Sequence, residues 1–476
     1  MKKVLAIALS SAMVVGLLSG CGSSSTAASG TDASTATSGD AAATTATSEA
    51  AGAAETTQAT GDYDVDNMTF NNVELRVEFR YTGKDTDGQS TWYYNRLDQF
   101  NKENEGKIHV TDESISTESD YEEKLTTDFA SGDAPNAFLQ YGGSRVKEYL
   151  DAGYLLDLTP YFNQYPDWYD GVQEFAWETC KYDGYDGTYG IPWSSYQLNM
   201  FYNKDLLNKA GVDVPQSWDD LVDACAKLKA AGIQPFNYSD KDNYHYEHLM
   251  SEMALKAYGT DIAGNLADGT ETYDGEKMVK IYQLMKDMID AGYWGDAILS
   301  TDVATERSMF ESGQAAFFID GTWNCGNFIN DSDTSLFDAQ TIGVTRVPYI
   351  DEAYQYTEMG GGSDTYYITT LNKSDEEIAA TVKFIKYLTT VDAINEMCQS
   401  SPTTYAEKVT IDTGNYLLDE VNKIMAENQG SKLELPNYSS NTAAMDTIRN
   451  SLQALATGSA AQDVGSDIVD KMAAYE

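Results

Sequence analysis

The stretch from Tyr189 to Phe236 constrains the fold of this chain more than any other segment. It begins with a polar and aromatic loop, Gly190 to Tyr196, in which the ring of Pro192 fixes the backbone. Apolar residues at every second position follow the loop and predict a half-buried strand: Leu198, Met200 and Tyr202. The loop therefore leads directly into a strand of a sheet.

Two helices are predicted after this strand. The first ends at Gly211, a residue type that commonly stops helices. The second starts after Pro215, and Asp220 stands three residues after Ser217 in the spacing of a capping box. Residues at helical intervals are expected to form its buried face: Trp218, Leu221, Val222, Cys225 and Leu228.

The segment before this stretch predicts an α/β domain. Val73 to Phe79 alternates strictly between apolar and polar residues, which is typical of a strand. A helix with Tyr94, Leu97 and Phe100 on one face follows, and Lys107 to Thr111 predicts a second strand. This β-α-β order indicates the start of a mostly parallel sheet.

The N-terminus has the composition of a secretory signal. Lys2 and Lys3 precede an apolar run from Val4 to Leu18, which is too short and wrongly flanked for a stable transmembrane helix. The following Ser-Gly-Cys completes a segment that resembles a bacterial lipobox, which implies lipid attachment to Cys21; an ordinary signal peptide with a chance cysteine is the alternative. Residues 22–60 are almost entirely Ser, Thr, Ala and Gly, so we expect a disordered spacer.

Charge and cysteine spacing exclude several classes of partner. The net charge is −44, from 75 acidic and 31 basic residues, so nucleic acid and anionic lipid headgroups are repelled. A neutral or cationic ligand fits this charge better than a polyanion. The cysteines after Cys21 match no zinc or CxxC spacing, and we expect small core residues, with one disulfide left open: Cys180, Cys225, Cys325 and Cys398.

Several segments, taken in their order along the chain, resemble one protein family. Gly132-Asp-Ala-Pro-Asn resembles the family's G-x-x-P-D strand, with Asn136 in place of Asp. The YNKD helix at Tyr202 and the P-x-S-W-D-D-L helix at Pro215 come next, and Phe310 to Trp323 resembles F-x-x-G-x-A-A-M…G-x-W. This order is similar to that of the extracellular solute-binding proteins of bacterial ABC importers, in particular the carbohydrate-binding family. The similarity covers about residues 66–476.

The resemblance implies an α/β, two-lobe, periplasmic-binding-protein-like fold of class II, similar to maltose-binding protein, with hinge crossovers and an inter-lobe cleft. The strand after Tyr196 would be the first crossover, Ile342 to Pro348 the second, and Gly360 to Thr369 a glycine-rich loop entering a strand. We therefore expect residues 1–20 to be the lipoprotein signal peptide and 21–65 a disordered linker. Residues 66–197 with 346–400 would form the N-lobe, and 198–345 with 401–476 the C-lobe.

A sugar site needs flat aromatic rings for stacking and short polar groups for hydrogen bonds, and this chain contains 33 Tyr. By resemblance, Tyr196 lies where the family places a ligand contact, and Trp323 matches the family's stacking tryptophan. Lobe packing is the alternative for Tyr196 and for Trp193, which lies in the same loop. The remaining candidates lie at strand ends or in loops: Tyr81, Gln140, Tyr141, Tyr244, His245, Tyr246, Asp320, Gly361 and Gly362. Asp320 could instead cap a helix, and the two glycines could instead form a plain turn.

The cluster of His245, Glu247 and His248 suggests a metal site, but H-x-E-H is not the H-E-x-x-H spacing of zinc proteases. We therefore expect no metal there and a hydrogen-bonding loop instead. No G-x-S-x-G, P-loop or EF-hand motif is present, so we expect neither catalysis nor a cofactor.

The resemblance implies a lipoprotein that captures a mono- or oligosaccharide and delivers it to the transmembrane subunits of an ABC permease. We expect a monomer without nucleic acid partners, exported and held by its lipid on the outer face of the cell membrane, in an organism of Gram-positive type. The alternatives are a binding protein for a polyamine, peptide or metal, and a secreted glycoside-processing enzyme that uses paired carboxylates.

Overall fold

The computed structural model describes residues 63–84, 87–182, 184–331, 333–439 and 443–474. The predicted signal peptide, Cys21 and nearly all of the predicted linker lie outside the described residues. Val65, which the prediction assigned to the linker, is fully buried, and Tyr63 packs edge-on against Tyr161 at 5.0 Å between ring centroids. The first lobe therefore includes at least residues 63–65.

The described residues form ten strands: β1 Val73–Glu78, β2 Ile108–Asp112, β3 Ala137–Gln140, β4 Ile191–Pro192, β5 Ser195–Asn203, β6 Phe317–Gly321, β7 Ile342–Arg346, β8 Thr357–Gly362, β9 Thr365–Ile368 and β10 Gly430–Lys432. They also form these helices: α1 Gly88–Glu103, α2 Glu118–Ser131, α3 Lys147–Asp151, α4 Thr159–Gln164, α5 Pro166–Asp170, α6 Lys204–Ala210, α7 Trp218–Ala230, α8 His245–Tyr258, α9 Asp261–Ala267, α10 Glu276–Asp290, α11 Val303–Glu311, α12 Asn324–Asn330, α13 Ser335–Asp338, α14 Asp375–Thr389, α15 Val391–Ser400, α16 Tyr416–Ala426, α17 Ala444–Leu452 and α18 Ala461–Met472.

The strands form two sheets, one in each lobe. The first sheet has the order β2-β1-β3-β9-β4, in which β1 runs parallel to β2 and β3. The second has the order β10-β8-β5-β6, with β7 also paired to β5. In the first sheet β9 is antiparallel to both β3 and β4. The reason is that β9 enters this sheet directly from β8 of the other lobe and does not follow a crossover helix.

Two short connections carry the chain from one sheet to the other. Trp193 and Ser194 join β4 to β5, and Ser363 and Asp364 join β8 to β9. Since β4 pairs with β9 and β5 pairs with β8, the two crossovers run side by side as an antiparallel ribbon. A third segment passes beside them, where Tyr405 forms an isolated bridge with Ser194.

The second crossover differs from the predicted one. Ile342 to Arg346 pairs with β5 along its whole length inside the second sheet, and the chain returns to the first lobe only after Gly362. Residues 346–362 therefore belong to the second lobe, not to the N-lobe as predicted. Residues 401–406 pack with the first lobe, because Tyr405 and Ala406 lie in its core.

The strand and the two helices predicted between Tyr189 and Phe236 are confirmed, with one change in the strand. The Ser217 hydroxyl accepts from the Asp220 amide at 3.1 Å, and the Asp220 carboxylate accepts from the Ser217 amide at 3.1 Å, so the capping box starts α7. Gly211 ends α6 with φ of 62°. The strand β5 is buried on both faces, not on one, because Leu198 and Met200 pack in one hydrophobic cluster and Phe201 packs in another.

The four described cysteines are buried and unpaired, as expected for small core residues. Among the described residues, no helix has the length and apolar character needed to cross a bilayer.

Candidate functional site

The candidate site is centred on Trp323, which lies between β6 and α12 in the second lobe. Gly321 allows the indole to pack on the backbone, because a Cβ there would lie 2.1 Å from the ring. The indole Nε1 donates to Asp320 Oδ2 at 3.1 Å, and Asn324 Nδ2 donates to the same oxygen at 2.8 Å. The aspartate is fully buried, so it holds the indole in position from below.

His245 lies between two carboxylates beneath this tryptophan. Its Nε2 is 3.2 Å from Asp320 Oδ1, and its Nδ1 is 3.4 Å from Glu306 Oε2. Burial opposes the charged imidazole, but the two carboxylates outweigh it and raise the pKa of His245 to about 10. Burial would raise the pKa of the Asp320 carboxyl, but the His245 imidazolium lowers it below its usual value.

Aromatic rings surround the partly exposed Trp323 indole. The Tyr196 ring lies 6.3 Å from it and the His248 ring 6.4 Å, measured between centroids. Tyr244, which is half-buried, packs against His248 at 4.8 Å. These rings form a wall with both apolar faces and polar edges, as a sugar ring requires.

Glu434 is a residue of this wall that the sequence analysis did not identify. Its Oε1 lies 3.3 Å from His248 Nε2, and its side chain is 14% exposed. Burial would raise the pKa of Glu434, but the hydrogen bond and charge of His248 lower it to about 2. Glu434 follows β10 in a segment without a motif, so only the three-dimensional structure identifies it. His248 was considered in sequence only as a metal ligand.

Tyr141 and two arginines form a second polar and aromatic surface at the end of β3 in the first lobe. The Arg80 guanidinium lies 3.9 Å above the Tyr141 ring and that of Arg145 lies 5.2 Å away. Gln140 is buried, and its amide donates to Glu122 at 2.9 Å. Gln140 therefore supports this surface from inside, while Tyr141 is half-buried.

Arg80 also joins the first lobe to both crossovers. Its Nη2 contacts Asp364 Oδ1 at 2.5 Å, and the Ser194 hydroxyl donates to Asp364 Oδ2 at 3.1 Å. The Asp364 amide in turn donates to the Ser194 hydroxyl at 2.8 Å. This network fixes the crossovers relative to the end of β1.

Contacts between the lobes lie close to the candidate site. Lys432 Nζ of the second lobe is 2.6 Å from Glu178 Oε1 of the first, and the Tyr438 hydroxyl donates to the same oxygen at 3.3 Å. The Ser144 hydroxyl, which follows β3, is 3.3 Å from Asn437 Oδ1. The two polar surfaces therefore belong to lobes that touch beside them.

Tyr81 and Trp193, both predicted at the site, pack in the core of the first lobe. Tyr81 stacks on Tyr93 at 4.0 Å and its hydroxyl hydrogen-bonds that of Tyr366 at 2.6 Å. Trp193 is 3% exposed and lies 6.2 Å from Tyr405. Tyr81 follows strand β1 and Trp193 lies in the loop before β5, as predicted, but both rings are buried in the lobe.

Tyr246 and the two glycines also differ from their prediction. Tyr246 is fully buried in the core of the second lobe, where it packs against Tyr238 and Trp294. Gly361 and Gly362 lie within strand β8, not in a loop. Added Cβ atoms there would lie 2.6 Å from a Leu433 methyl carbon and 2.5 Å from the Ala176 carbonyl, so these glycines allow close packing of the crossover instead of backbone contact with a ligand.

His245, Glu247 and His248 each contact a different partner, Asp320, Arg449 and Glu434, respectively. Glu247 accepts from the Ser251 hydroxyl at 2.7 Å and pairs with Arg449 at 3.3 Å. Within the ranges that the structure describes, no three His, Cys, Asp or Glu side chains converge as metal ligands would.

Comparison with known proteins identifies relatives over most of the chain. A sequence profile described as bacterial extracellular solute-binding protein matches residues 83–394. A putative binding protein of Brucella abortus is 31% identical over 207 residues, which are 41% of this chain and 46% of that protein, so the match spans about half of the relative's length. The multiple sugar-binding protein of Streptococcus mutans is 24% identical over 312 residues, 63% of this chain and 68% of the relative.

The fold has a solved counterpart. A chitin oligosaccharide binding protein superposes with a TM-score of 0.76 at 20% identity, over 85% of this chain and 99% of that chain. The two sheets, the paired crossovers and this superposition confirm the predicted two-lobe α/β fold. Since the family profile covers well over half of the chain, this protein belongs to the bacterial extracellular solute-binding proteins.

Proposed function

We propose that this protein binds a carbohydrate between its two lobes and delivers it to the transmembrane subunits of an ABC permease. The single observation that carries the proposal is the partly exposed Trp323 indole, which Asp320 holds beneath an aromatic and polar wall. A sugar ring presents C–H groups on its face and hydroxyls at its rim, so a fixed indole with polar neighbours complements it. The sugar-binding relative of Streptococcus mutans supports the same ligand class.

The ion pairs that three carboxylates already form argue against a polyamine as the ligand. A polyamine needs unpaired carboxylates that converge on it, and the acidic residues to consider for this role are Glu247, Asp320 and Asp364. Each of them already contacts a cationic side chain of the chain itself: Arg449, His245 and Arg80, respectively. A neutral ligand therefore fits the site better.

We also propose how the protein is exported, how it is anchored and how it releases its ligand. Residues 1–20 act as a lipoprotein signal peptide, and lipid on Cys21 anchors a monomer to the outer face of a Gram-positive cell membrane. The ligand is released unchanged to the permease, so no catalysis takes place. The family membership and the lipobox-like segment support this view.

Isothermal titration calorimetry with maltotriose, chitotriose, xylotriose, spermidine and zinc tests the ligand class. We expect one neutral sugar to bind with a Kd near the micromolar range, about −8 kcal/mol. Trp323→Ala should abolish binding, whereas Trp168→Phe, in the first-lobe core, should keep it. Binding of spermidine or zinc alone would contradict the proposal, and sugar products found by chromatography would support the enzyme alternative.

A further inference from the structure

Three polar side chains meet beside Trp323: Tyr196, His248 and Glu434, which we call the polar corner. His248 Nε2 lies 3.3 Å from Glu434 Oε1. Burial raises the pKa of the Tyr196 phenol far above its usual value, and the neighbouring Glu434 carboxylate adds to this effect. The polar corner therefore combines an acceptor with two side chains that can donate, next to the indole.

Two atoms of the polar corner have no hydrogen-bond partner within the described part of the chain, the Tyr196 hydroxyl and His248 Nδ1. Both residues are more than nine-tenths buried, at 5% and 7% exposure. A buried polar atom without a partner is costly, and native proteins pair nearly all such atoms with protein, water or ligand. The polar corner thus lacks partners that a bound polar group would supply.

The polar corner lies where the two lobes touch. Glu434 belongs to the segment after β10, whose Lys432 and Tyr438 both contact Glu178 of the first lobe at 2.6 and 3.3 Å. Movement of one lobe on the crossovers would separate these contacts and uncover the corner. A ligand that enters between the lobes therefore reaches it.

The charges around the corner restrict what it can accept. A carboxylate only accepts hydrogen bonds, so Glu434 favours a group that donates, and Tyr196 favours one that accepts; a sugar hydroxyl does both. Glu247 is fully buried nearby; burial raises the pKa of its carboxyl, and the Glu434 carboxylate adds to this effect. Arg449 pairs with Glu247, and His248 already contacts Glu434, so an anionic ligand group would meet Glu434 without a free cation among the corner residues.

We propose that the polar corner binds hydroxyl groups of a neutral sugar unit stacked on Trp323 and excludes sugar acids. This inference rests on the proposed carbohydrate function and specifies which sugars the site takes. It also makes His248 and Glu434 determinants of specificity.

Tyr196→Phe is the sharpest test, because it removes only the unpaired hydroxyl. Its loss should leave the unfolding midpoint of the ligand-free protein nearly unchanged, since the hydroxyl has no hydrogen-bond partner of ordinary geometry among the described residues. It should weaken binding of the best neutral trisaccharide about tenfold, about 1.4 kcal/mol. A purely structural tyrosine would not combine these two results.

Glu434→Gln tests the selection by charge, with the exposed Glu420→Gln as the matched control. Wild type should bind one of maltotriose, chitotriose or xylotriose and bind trigalacturonic acid at least about 100-fold more weakly. Glu434→Gln should weaken binding of the neutral sugar and reduce the ratio of the two dissociation constants, while the control changes neither. Circular dichroism of each variant verifies that it is folded.

The outcomes separate this inference from the proposed function. If wild type binds a neutral sugar but Tyr196→Phe and Glu434→Gln bind it as tightly, the inference about the polar corner is wrong and the proposed function stands. If wild type prefers trigalacturonic acid, the selection is reversed and the inference is overturned. If wild type binds none of the four sugars, the proposed function fails and the polar corner fails with it.

Discussion

At the residue scale, the site depends on His245, a buried cation whose burial and charge the sequence did not predict. Asp320 and His245 were predicted to contact the ligand, but their side chains are 0% and 1% exposed. They act on the ligand through Trp323, because Asp320 binds the indole nitrogen and His245 pairs with Asp320. The sequence could supply both residues but not their depth, because depth depends on how α8 packs beside β6.

Replacing His245 with Gln should destabilise the protein by about 3 kcal/mol, since it leaves two buried carboxylates without their cation. Binding should weaken as well, because the Trp323 indole loses its fixed position. Chemical denaturation and titration calorimetry measure the two effects. A variant as stable as wild type would contradict the buried ion triad.

The same pair predicts a dependence of stability on pH. The pKa of His245 is raised to about 10, above the unfolded value of about 6.5. Its contribution is therefore complete below pH 6.5 and is lost as the pH rises through 10. Because other groups titrate in this range, the difference between wild type and His245→Gln is the measured quantity. We expect that difference to shrink from pH 6.5 to pH 10; a constant difference would contradict the prediction.

At the scale of elements, helix α7 and strand β1 were predicted correctly. The capping box of α7 and the alternation of apolar and polar residues in β1 are local sequence patterns. The second crossover was misplaced because β7 and β8 are both short strands that pair with β5. Only the fold shows that the chain returns to the first lobe after β8 and not after β7. The sequence predicted a hydrogen-bonding loop at His245, but helix α8 begins there. Its buried residues include Glu247, Glu252 and Lys256, so the helix has no amphipathic pattern for sequence analysis to detect.

Gly362→Ala should destabilise the protein by about 1–3 kcal/mol, because its Cβ would lie 2.5 Å from the Ala176 carbonyl. Gly264→Ala is the matched control, since a Cβ at this position in α9 meets nothing within 4 Å. The control should be neutral or stabilise the helix by up to about 1 kcal/mol. Equal unfolding free energies for the two variants would show that β8 is not closely packed.

Lys256 of α8 ties this helix to the β8 crossover strand. Its Nζ lies 2.8 Å from Glu358 Oε1 and donates to the Gln355 carbonyl at 2.9 Å, and Lys256 and Glu358 are both fully buried. Lys256→Met should therefore cost about 3–5 kcal/mol of unfolding free energy, as for the loss of one partner of a buried ion pair. The exposed Lys423→Met should change it by less than about 0.5 kcal/mol. Equal effects of the two substitutions would contradict a structural role for the buried pair.

At the scale of the whole molecule, the order of motifs predicted two lobes and their crossovers. Trp323 and Tyr196 were placed together correctly, because family motifs mark both. Glu434 and the partners of His248 could not be predicted, since they meet through a contact between segments almost 190 residues apart. The acidic chain as a whole, with a net charge of −44, also disfavours anionic ligands over long range.

Hydrogen–deuterium exchange with and without the best neutral trisaccharide tests the central claim most directly. Binding between the lobes should slow exchange in peptides from both of them, around Tyr141 to Arg145 in the first lobe and around Asp320 to Asn324 and Leu433 to Tyr438 in the second. Trp323→Ala at the same sugar concentration should lose this protection. Protection confined to one lobe, or located away from these segments, would contradict ligand capture between the lobes.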